Sequence, residues 1–214
     1  MGSGDLTARR RGGRSFAVRL ASALTIAALG LGGCGSAQRT PADSGPPAEL
    51  VAQARPIGRG ANFHPPARGP VIGRCTPDLG PRTGVHVELF AANRVVLVAA
   101  GIGTRPPLAM SAGRIARARC YGDLVTLEPT GVVQVRTGSA LRLAELFRSW
   151  GQPLSGTRLG PFTADAGMRV QVFVNGQPWR GAPQDVPLVS HSEIVLEVGP
   201  HVPPHRSYTF PPGV

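Results

Sequence analysis

The sequence predicts an α+β fold in which a β-rich sheet carries one main helix. Short runs of alternating apolar and polar residues, typical of half-buried strands, recur from residue 85 onward. One stretch between these runs repeats its apolar residues at helical spacing, and glycine-containing turn sequences separate the strands. The order of the later pieces is strand, strand, helix, strand, strand, which favours a sheet crossed by a single helix.

Two hairpins are predicted before the helix. The first joins residues 85–90 to residues 95–99, and its alternation places His86, Glu88 and Phe90 on one face. The second joins residues 124–128 to residues 132–136 through Pro129-Thr130-Gly131, a strong turn signal.

The helix is predicted over residues 140–150, with Ser139 as its N-cap and Gly151 at its C-terminal end. Its apolar stripe follows i, i+3, i+4, i+7 spacing and consists of Leu143, Leu146, Phe147 and Trp150. Two further strands are predicted over residues 169–174 and 193–198, the first followed by an Asn175-Gly176 turn.

This order resembles the β-grasp arrangement of ubiquitin-like and sulfur-carrier proteins. The likeness lies in the sequence pieces of residues 172–178, 186–188 and 194–198. We therefore expect a β-grasp sheet, preceded by the extra hairpin of residues 85–99, in a globular domain over 71–200. The chain ends in Pro-Pro-Gly-Val and lacks the carriers' Gly-Gly terminus, so the resemblance does not imply conjugation or sulfur transfer.

The first 33 residues are predicted to be an export signal. Five arginines precede an apolar run over residues 20–31, which is shorter than the roughly 20 residues needed to span a bilayer. Leu31-Gly32-Gly33-Cys34 follows and resembles the lipobox of bacterial lipoproteins. The resemblance implies lipidation of Cys34 and a membrane anchor, which places the chain on the outer face of the cytoplasmic membrane or on an outer membrane.

Composition bounds the class of partner. All 23 basic residues are arginine, the formal net charge is +11, and aromatic residues make up 5% of the chain. Nucleic-acid binders cluster their basic residues beside aromatic side chains, and this pattern is absent from the sequence. We expect a basic surface near anionic lipid, a cell-wall polymer or an envelope protein, and no nucleic-acid partner.

Two further features concern the exported part. Cys75 and Cys120 remain after Cys34 is lipidated, and they are expected to form a disulfide in an oxidising compartment. Residues 34–70 and 201–214 are rich in proline and glycine, and are expected to be a disordered tether and an irregular tail.

The globular part also resembles an uncharacterised family of exported bacterial proteins. The resemblance is carried by Ala100-Gly101-Ile102-Gly103, Trp150-Gly151-Gln152-Pro153-Leu154 and Val174-Asn175-Gly176. Members carry a histidine-rich hairpin, but the corresponding positions here are Val125, Leu127 and Gln134. Because aliphatic side chains cannot ligate metal, the chain is predicted to have no metal and no cofactor, and His86 and His191 are assigned no ligand role.

No catalytic grouping stands out, so the chain is predicted not to be an enzyme. Ser190-His191-Ser192 lacks a nucleophile-elbow context, and Asp123 and Glu128 lie at opposite ends of a short predicted strand. Gly101-Ile102-Gly103-Thr104 lacks the lysine of a phosphate-binding loop and is read as a turn. The favoured function is a membrane-anchored binding or scaffold module; a degenerate metal-binding protein and a hydrolase are the alternatives.

Overall fold

The computed structural model describes residues 54–214. The predicted export signal, Cys34 and the first part of the predicted tether lie outside the described residues. The fold over residues 54–214 is α+β, with twelve strands and one α-helix. Among these residues no helix combines the length and the apolar character needed to cross a membrane.

The strands are numbered β1 to β12 in chain order and the helix is α1. Their bounds are Arg82–Ala91 (β1), Arg94–Val96 (β2), Thr104–Ser111 (β3), Arg114–Tyr121 (β4), Leu124–Val125 (β5), Val132–Arg136 (β6), Leu143–Trp150 (α1), Leu154–Ser155 (β7), Arg158–Leu159 (β8), Phe162–Thr163 (β9), Gln171–Val174 (β10), Gln177–Pro178 (β11) and Glu193–Val198 (β12). Short 3-10 helices span Ala61–Phe63 and Pro183–Asp185.

The main sheet has β1 at its centre. Its strand order is β11-β10-β12-β1-β6-β5, and β2 also pairs with β1. The first and last long strands, β1 and β12, are parallel, whereas the other pairs are antiparallel. Parallel pairing needs a long crossover connection, which here contains the helix. Chain segments more than a hundred residues apart therefore become neighbours.

Strand periodicity divides the sheet into two buried faces. Alternate residues of β1 and β12, among them Val87 and Ile194, pack under α1 together with its Leu146 and Phe147. On the opposite face Phe90, Phe173 and Val195 form a second cluster with Val202. Every residue of β12 is consequently buried.

The predicted helix and its apolar stripe are present, but the helix is shorter than predicted. It begins at Leu143 because Arg142 is still extended and pairs with Pro187, so Arg142 rather than Ser139 is the N-cap. The Arg142 N–H donates to the Glu145 carboxylate, which satisfies one free donor of the first turn. Gly151 ends the helix in the left-handed conformation, with φ 78°, as expected.

The hairpins agree with the prediction in part. β1 and β2 form the first hairpin around Ala92-Asn93, and β5 and β6 form the second, although β5 has only two residues. The role given to the first hairpin was wrong: β1 is the central strand of the sheet, and not part of an extra hairpin that precedes it.

The actual additional hairpin was missed. β3 and β4 pair only with each other and form a separate two-stranded ribbon between β2 and β5. Its first strand is exposed almost throughout and contains Pro106-Pro107, so it shows no apolar alternation to detect. The small three-stranded sheet of β7, β8 and β9 was missed for a similar reason, since each strand has two residues.

The boundary of the predicted tether also needs correction, because residues 54–70 are folded. Gly58 and Pro56 exchange backbone hydrogen bonds with Val95, at 3.0 Å each. The Trp150 indole N–H donates to the Pro65 carbonyl at 2.9 Å, and Phe63 packs against the main core. The sequence did not predict these contacts, because each is made by one isolated residue and not by a periodic pattern of residues.

Cys75 and Cys120 are joined by a disulfide, with a Cα–Cα distance of 5.3 Å. The bond links the segment before β1 to the end of β4, where Thr76 and Tyr121 also exchange backbone hydrogen bonds. The base of the ribbon is thereby fastened to the rest of the fold.

Candidate functional site

The sheet face opposite α1, called the back face here, carries a row of ionisable side chains. The residues of this face are His86, Glu88 and Phe90 of β1 with Glu193, Val195 and Glu197 of β12, and the ionisable row is formed by His86, Glu88, Glu193 and Glu197. Directly paired residues of neighbouring strands point to the same side, and His86 is paired with Glu193. The parallel register therefore brings an imidazole and a carboxyl group together inside a sheet.

The C-terminal segment, residues 201–214, covers this face. It has no regular secondary structure, as predicted, but it is packed rather than free. His205 Nδ1 lies 2.7 Å from a Glu88 carboxylate oxygen, and His201 is hydrogen-bonded to Glu197. The Tyr208 ring is stacked on the imidazole of His86, with centroids 3.7 Å apart and planes 10° from parallel. The segment thus shields the ionisable row from solvent.

His86 and Glu193 form the most buried ionisable pair of this face, with 5% and 1% of their surface exposed. His86 Nδ1 is 2.7 Å from Glu193 Oε2, and His86 Nε2 is 3.0 Å from the Thr130 carbonyl oxygen. The other carboxyl oxygen, Glu193 Oε1, is buried without a hydrogen-bond partner. Burial raises the pKa of Glu193, while the hydrogen bond and charge of His86 act in the opposite direction.

The turn before β6 places the Thr130 carbonyl against His86. Gly131 has a φ of 83°, which a side chain would strain. A Cβ atom there would also lie 2.6 Å from the Val87 carbonyl oxygen and 3.0 Å from His86 Nε2. The turn glycine recognised in the sequence is therefore required for close approach to the imidazole as well as for chain reversal.

Glu88 adds a third potential ligand to the pair. One ligand atom from each of His86, Glu88 and Glu193 lies within 4.8 Å of the others. His205 stands at the outer side of Glu88. The two carboxyl groups and two imidazoles form what is called the acid–histidine cluster below.

Sequence reasoning placed His86 and Glu88 on one strand face but did not associate them with Glu193, His205 or Tyr208. The missing information is the parallel pairing of β1 with β12 and the path of the C-terminal segment. Both are contacts between distant parts of the chain, and strand periodicity alone does not reveal them.

The residues weighed for catalysis are engaged elsewhere. His191 Nε2 is 2.9 Å from the Val214 carbonyl oxygen, and the Ser192 hydroxyl donates to the Val189 carbonyl. Asp123 is paired with Arg136, and Glu128 is paired with Arg114, so the two carboxylates do not face each other.

The other candidate pieces have structural roles. Gly101-Ile102-Gly103-Thr104 is a turn, where the Thr104 hydroxyl donates to the Gly101 carbonyl at 2.8 Å. Val125, Leu127 and Gln134, where the sequence resemblance would have required histidine for a metal site, lie in β5, directly after β5 and in β6. Val125 and Leu127 are buried there with Ile115 and Tyr121, and Gln134 is paired with Val125.

The ribbon of β3 and β4 is a second distinctive surface. Arg105, Arg117 and Arg119 carry no ion pair or side-chain hydrogen bond within residues 54–214, unlike Arg114, which is paired with Glu128. Leu108 and Met110 of the same ribbon are 42% and 57% exposed. Cationic and apolar groups therefore occur on the same two-stranded element, which pairs with no other strand of residues 54–214.

No family model, curated protein or solved structure matches the chain.

Proposed function

We propose that the chain is a lipid-anchored lipoprotein of the cell envelope. In this proposal the folded unit is a non-catalytic binding module held at the outer face of the cytoplasmic membrane. The ribbon of β3 and β4 is its contact with anionic lipid headgroups. The proposal unites the lipobox at Cys34, the disulfide and the surface chemistry of the ribbon.

We also assign the main sheet to the β-grasp class. Its support is the order β6-β1-β12-β10-β11, with a parallel central pair and α1 in the connection between β6 and β10. Under this assignment the ribbon is an insertion between β1 and β6, the first two strands of the grasp. β2 pairs with the second half of β1, and β5 extends the sheet at the edge beside β6. Such insertions are common places for binding functions because the sheet fixes their base.

The disulfide supports export. Disulfides persist in oxidising compartments and are rare where thiol reductants are abundant. Cys75 and Cys120 are the two cysteines left after the lipobox cysteine is assigned to the anchor. All three cysteines of the chain are therefore consistent with one location outside the cytoplasm, one as the lipid anchor and two as a disulfide.

The ribbon is the observation that carries the binding role. Unpaired arginines attract anionic headgroups, at about 1 kcal/mol for each side chain near the surface. Leu108 and Met110 add exposed apolar area, which lowers its free energy by entering the boundary between headgroups and acyl chains. The attraction of the arginines and the burial of the two apolar side chains are each weak. They add to the lipid anchor, because the anchor already holds the domain close to the membrane.

The anchor is tested by replacing its cysteine. Cys34→Ala should abolish lipidation, and the protein should then leave the membrane fraction or accumulate as an unprocessed precursor. The measurement is fractionation of the producing bacterium, with intact mass of the purified protein. A Cys34→Ser substitution should behave in the same way, since a hydroxyl cannot form the thioether. Normal processing and unchanged membrane retention of Cys34→Ala would contradict the anchor.

The ribbon is tested with residues 35–214, which lack both the signal segment and the anchor cysteine, and with vesicles of defined lipid. Binding should be stronger to vesicles containing phosphatidylglycerol than to neutral vesicles, and should weaken as salt increases. The triple change Arg105→Glu, Arg117→Glu, Arg119→Glu should abolish it. The matched control changes three other exposed arginines, Arg158, Arg169 and Arg180, to glutamate.

Both triple variants alter the net charge by the same amount, so a general charge effect reduces vesicle binding equally in each. A loss confined to the ribbon variant supports the proposed contact. Equal losses, or binding that does not depend on anionic lipid, would refute it.

A further inference from the structure

We infer that the acid–histidine cluster of the back face is a binding site for one divalent transition cation, with Zn²⁺ as the best fit. His86, Glu88 and Glu193 are assigned as ligands, and His205 as the fourth ligand. This site goes beyond the proposed anchoring and membrane contact. It departs from the sequence analysis, which predicted no metal and gave His86 no ligand role, because the pairing of β1 with β12 brings Glu193 to His86.

The hydrogen bond to Thr130 selects the tautomer of His86. A carbonyl oxygen only accepts, so Nε2 must carry the proton when it lies 3.0 Å from that oxygen. In the neutral imidazole Nδ1 then has a free lone pair. Metal-bound histidines usually donate their other N–H to a carbonyl or carboxylate in this manner, which orients the ring and increases its basicity.

The free lone pair points at another acceptor. Nδ1 lies 2.7 Å from Glu193 Oε2, and an ionised carboxylate has no proton to donate. Two acceptors at this distance need a positive charge between them, either a proton or a cation. Glu193 Oε1 has no partner although Glu193 is 1% exposed. A buried carboxyl oxygen without a partner is costly, and a metal ion would satisfy it.

The remaining ligands complete a site of suitable size and charge. One ligand atom of Glu88 lies within 4.8 Å of those of His86 and Glu193, so small side-chain rotations can bring all three onto one ion. His205 lies outside this group of three, but its Nδ1 is 2.7 Å from Glu88, so it would join as the fourth ligand by moving together with Glu88. Two carboxylates and neutral imidazoles balance the charge of a divalent cation, which matters in a buried place.

The ligand types select the class of metal. Imidazole nitrogen combined with carboxylate oxygen suits Zn²⁺ and Cu²⁺, whereas Mg²⁺ and Ca²⁺ favour sites made only of oxygen. Three clustered ligands, with His205 beside the fourth position, fit the tetrahedral preference of Zn²⁺. The stacked ring of Tyr208 covers His86 and limits access of water, so the C-terminal segment closes the site and also supplies His205.

The test uses the exported full chain, without an affinity tag, after treatment with a chelator. Calorimetric titration with Zn²⁺ should show one equivalent bound, with a Kd of about 1 µM or below. Co²⁺ should give the visible absorption of a tetrahedral ion. His86→Ala should weaken Zn²⁺ binding by more than about 100-fold, since the nitrogen ligand is lost.

Glu193→Gln provides the decisive variant. Its amide can donate to His86 Nδ1, so the pair remains hydrogen-bonded and the fold is retained, but the charged ligand is gone. We expect near-ultraviolet circular dichroism like that of the wild type together with loss of Zn²⁺ binding. His201→Ala is the matched control, because His201 belongs to the same segment but pairs with Glu197.

The inference is supported if His86→Ala and Glu193→Gln lose the ion while His201→Ala keeps it. It is overturned if the wild-type chain binds no Zn²⁺ at 100-fold excess over the expected Kd, if Glu193→Gln binds like the wild type, or if His201→Ala also loses the ion. The first two results would mean that a proton alone joins His86 to Glu193.

Discussion

Arg82 shows how one side chain organises several loops. Its guanidinium donates to four backbone carbonyls, those of Leu79 at 2.8 Å, Gly122 at 2.6 Å, Gln134 at 3.2 Å and Asp123 at 3.3 Å. Burial and the neighbouring Arg136 lower the pKa of Arg82 to about 10. The carbonyl oxygens therefore hold a cation that has lost part of its hydration, and they join β1, β5 and β6 at one end of the sheet.

Arg82→Met should lower the free energy of unfolding by about 2 kcal/mol. The methionine keeps the length and apolar stem of the side chain, but the four carbonyls lose a charged donor. A hydrogen bond to a charged group contributes a net ~1.5–3 kcal/mol, and at this half-buried position water can reach the freed carbonyls, so the loss stays near that of one bond. The control is Arg94→Met on the exposed part of β2, which should change the stability by less than about 0.5 kcal/mol. Urea unfolding of the two variants measures the difference. Equal stabilities would show that Arg82 is bound to water rather than to the loops.

At the scale of elements, the sequence is informative where the pattern is local. The helical stripe of Leu143, Leu146, Phe147 and Trp150 predicted α1, because its four buried residues recur at the helical period. The alternation of residues 193–198 predicted β12 with its observed bounds. The apolar residues of both elements recur at a spacing that backbone geometry alone fixes, although β12 is buried on its polar face as well.

Elements that depend on distant partners were not predictable in this way. The ribbon of β3 and β4 has a mostly exposed first strand, so its sequence lacks the alternation of a half-buried strand. β1 was recognised as a strand, but its position at the centre of the sheet follows from parallel pairing with β12. The acid–histidine cluster depends on the same pairing. A search for local motifs finds its His86 and Glu88 on one strand, but it does not connect them with Glu193 and His205.

For the whole molecule, both faces of the central sheet are covered by different parts of the chain. α1 covers one face, and the C-terminal segment covers the other through Val202 and Tyr208. The early segment of residues 54–70 packs beside β2 and α1. Segments whose composition predicts a disordered spacer are therefore packed against the sheet and the helix. A few apolar side chains are enough to hold them, because the surface that they cover is already formed.

The disulfide also joins distant parts of the chain, and its removal should destabilise the whole of residues 54–214. Cys75 and Cys120 are 45 residues apart, and a loop of that size is worth about 4 kcal/mol in the chain-entropy account of cross-links. The loop contains β1, β2, β3 and most of β4, so opening it frees the central strand as well as the ribbon. The double change Cys75→Ser, Cys120→Ser should therefore lower the midpoint of thermal unfolding in one cooperative transition.

Reduced wild-type protein is the matched control, since it lacks the bond but keeps both sulfur atoms. It should unfold at nearly the same temperature as the double variant, while the oxidised protein unfolds higher. Mass spectrometry of freshly isolated protein should find no free thiol at either position before reduction. Two free thiols, or equal unfolding temperatures with and without reductant, would show that the two cysteines are not bonded in the exported protein, and the oxidising location would then lose its main structural support.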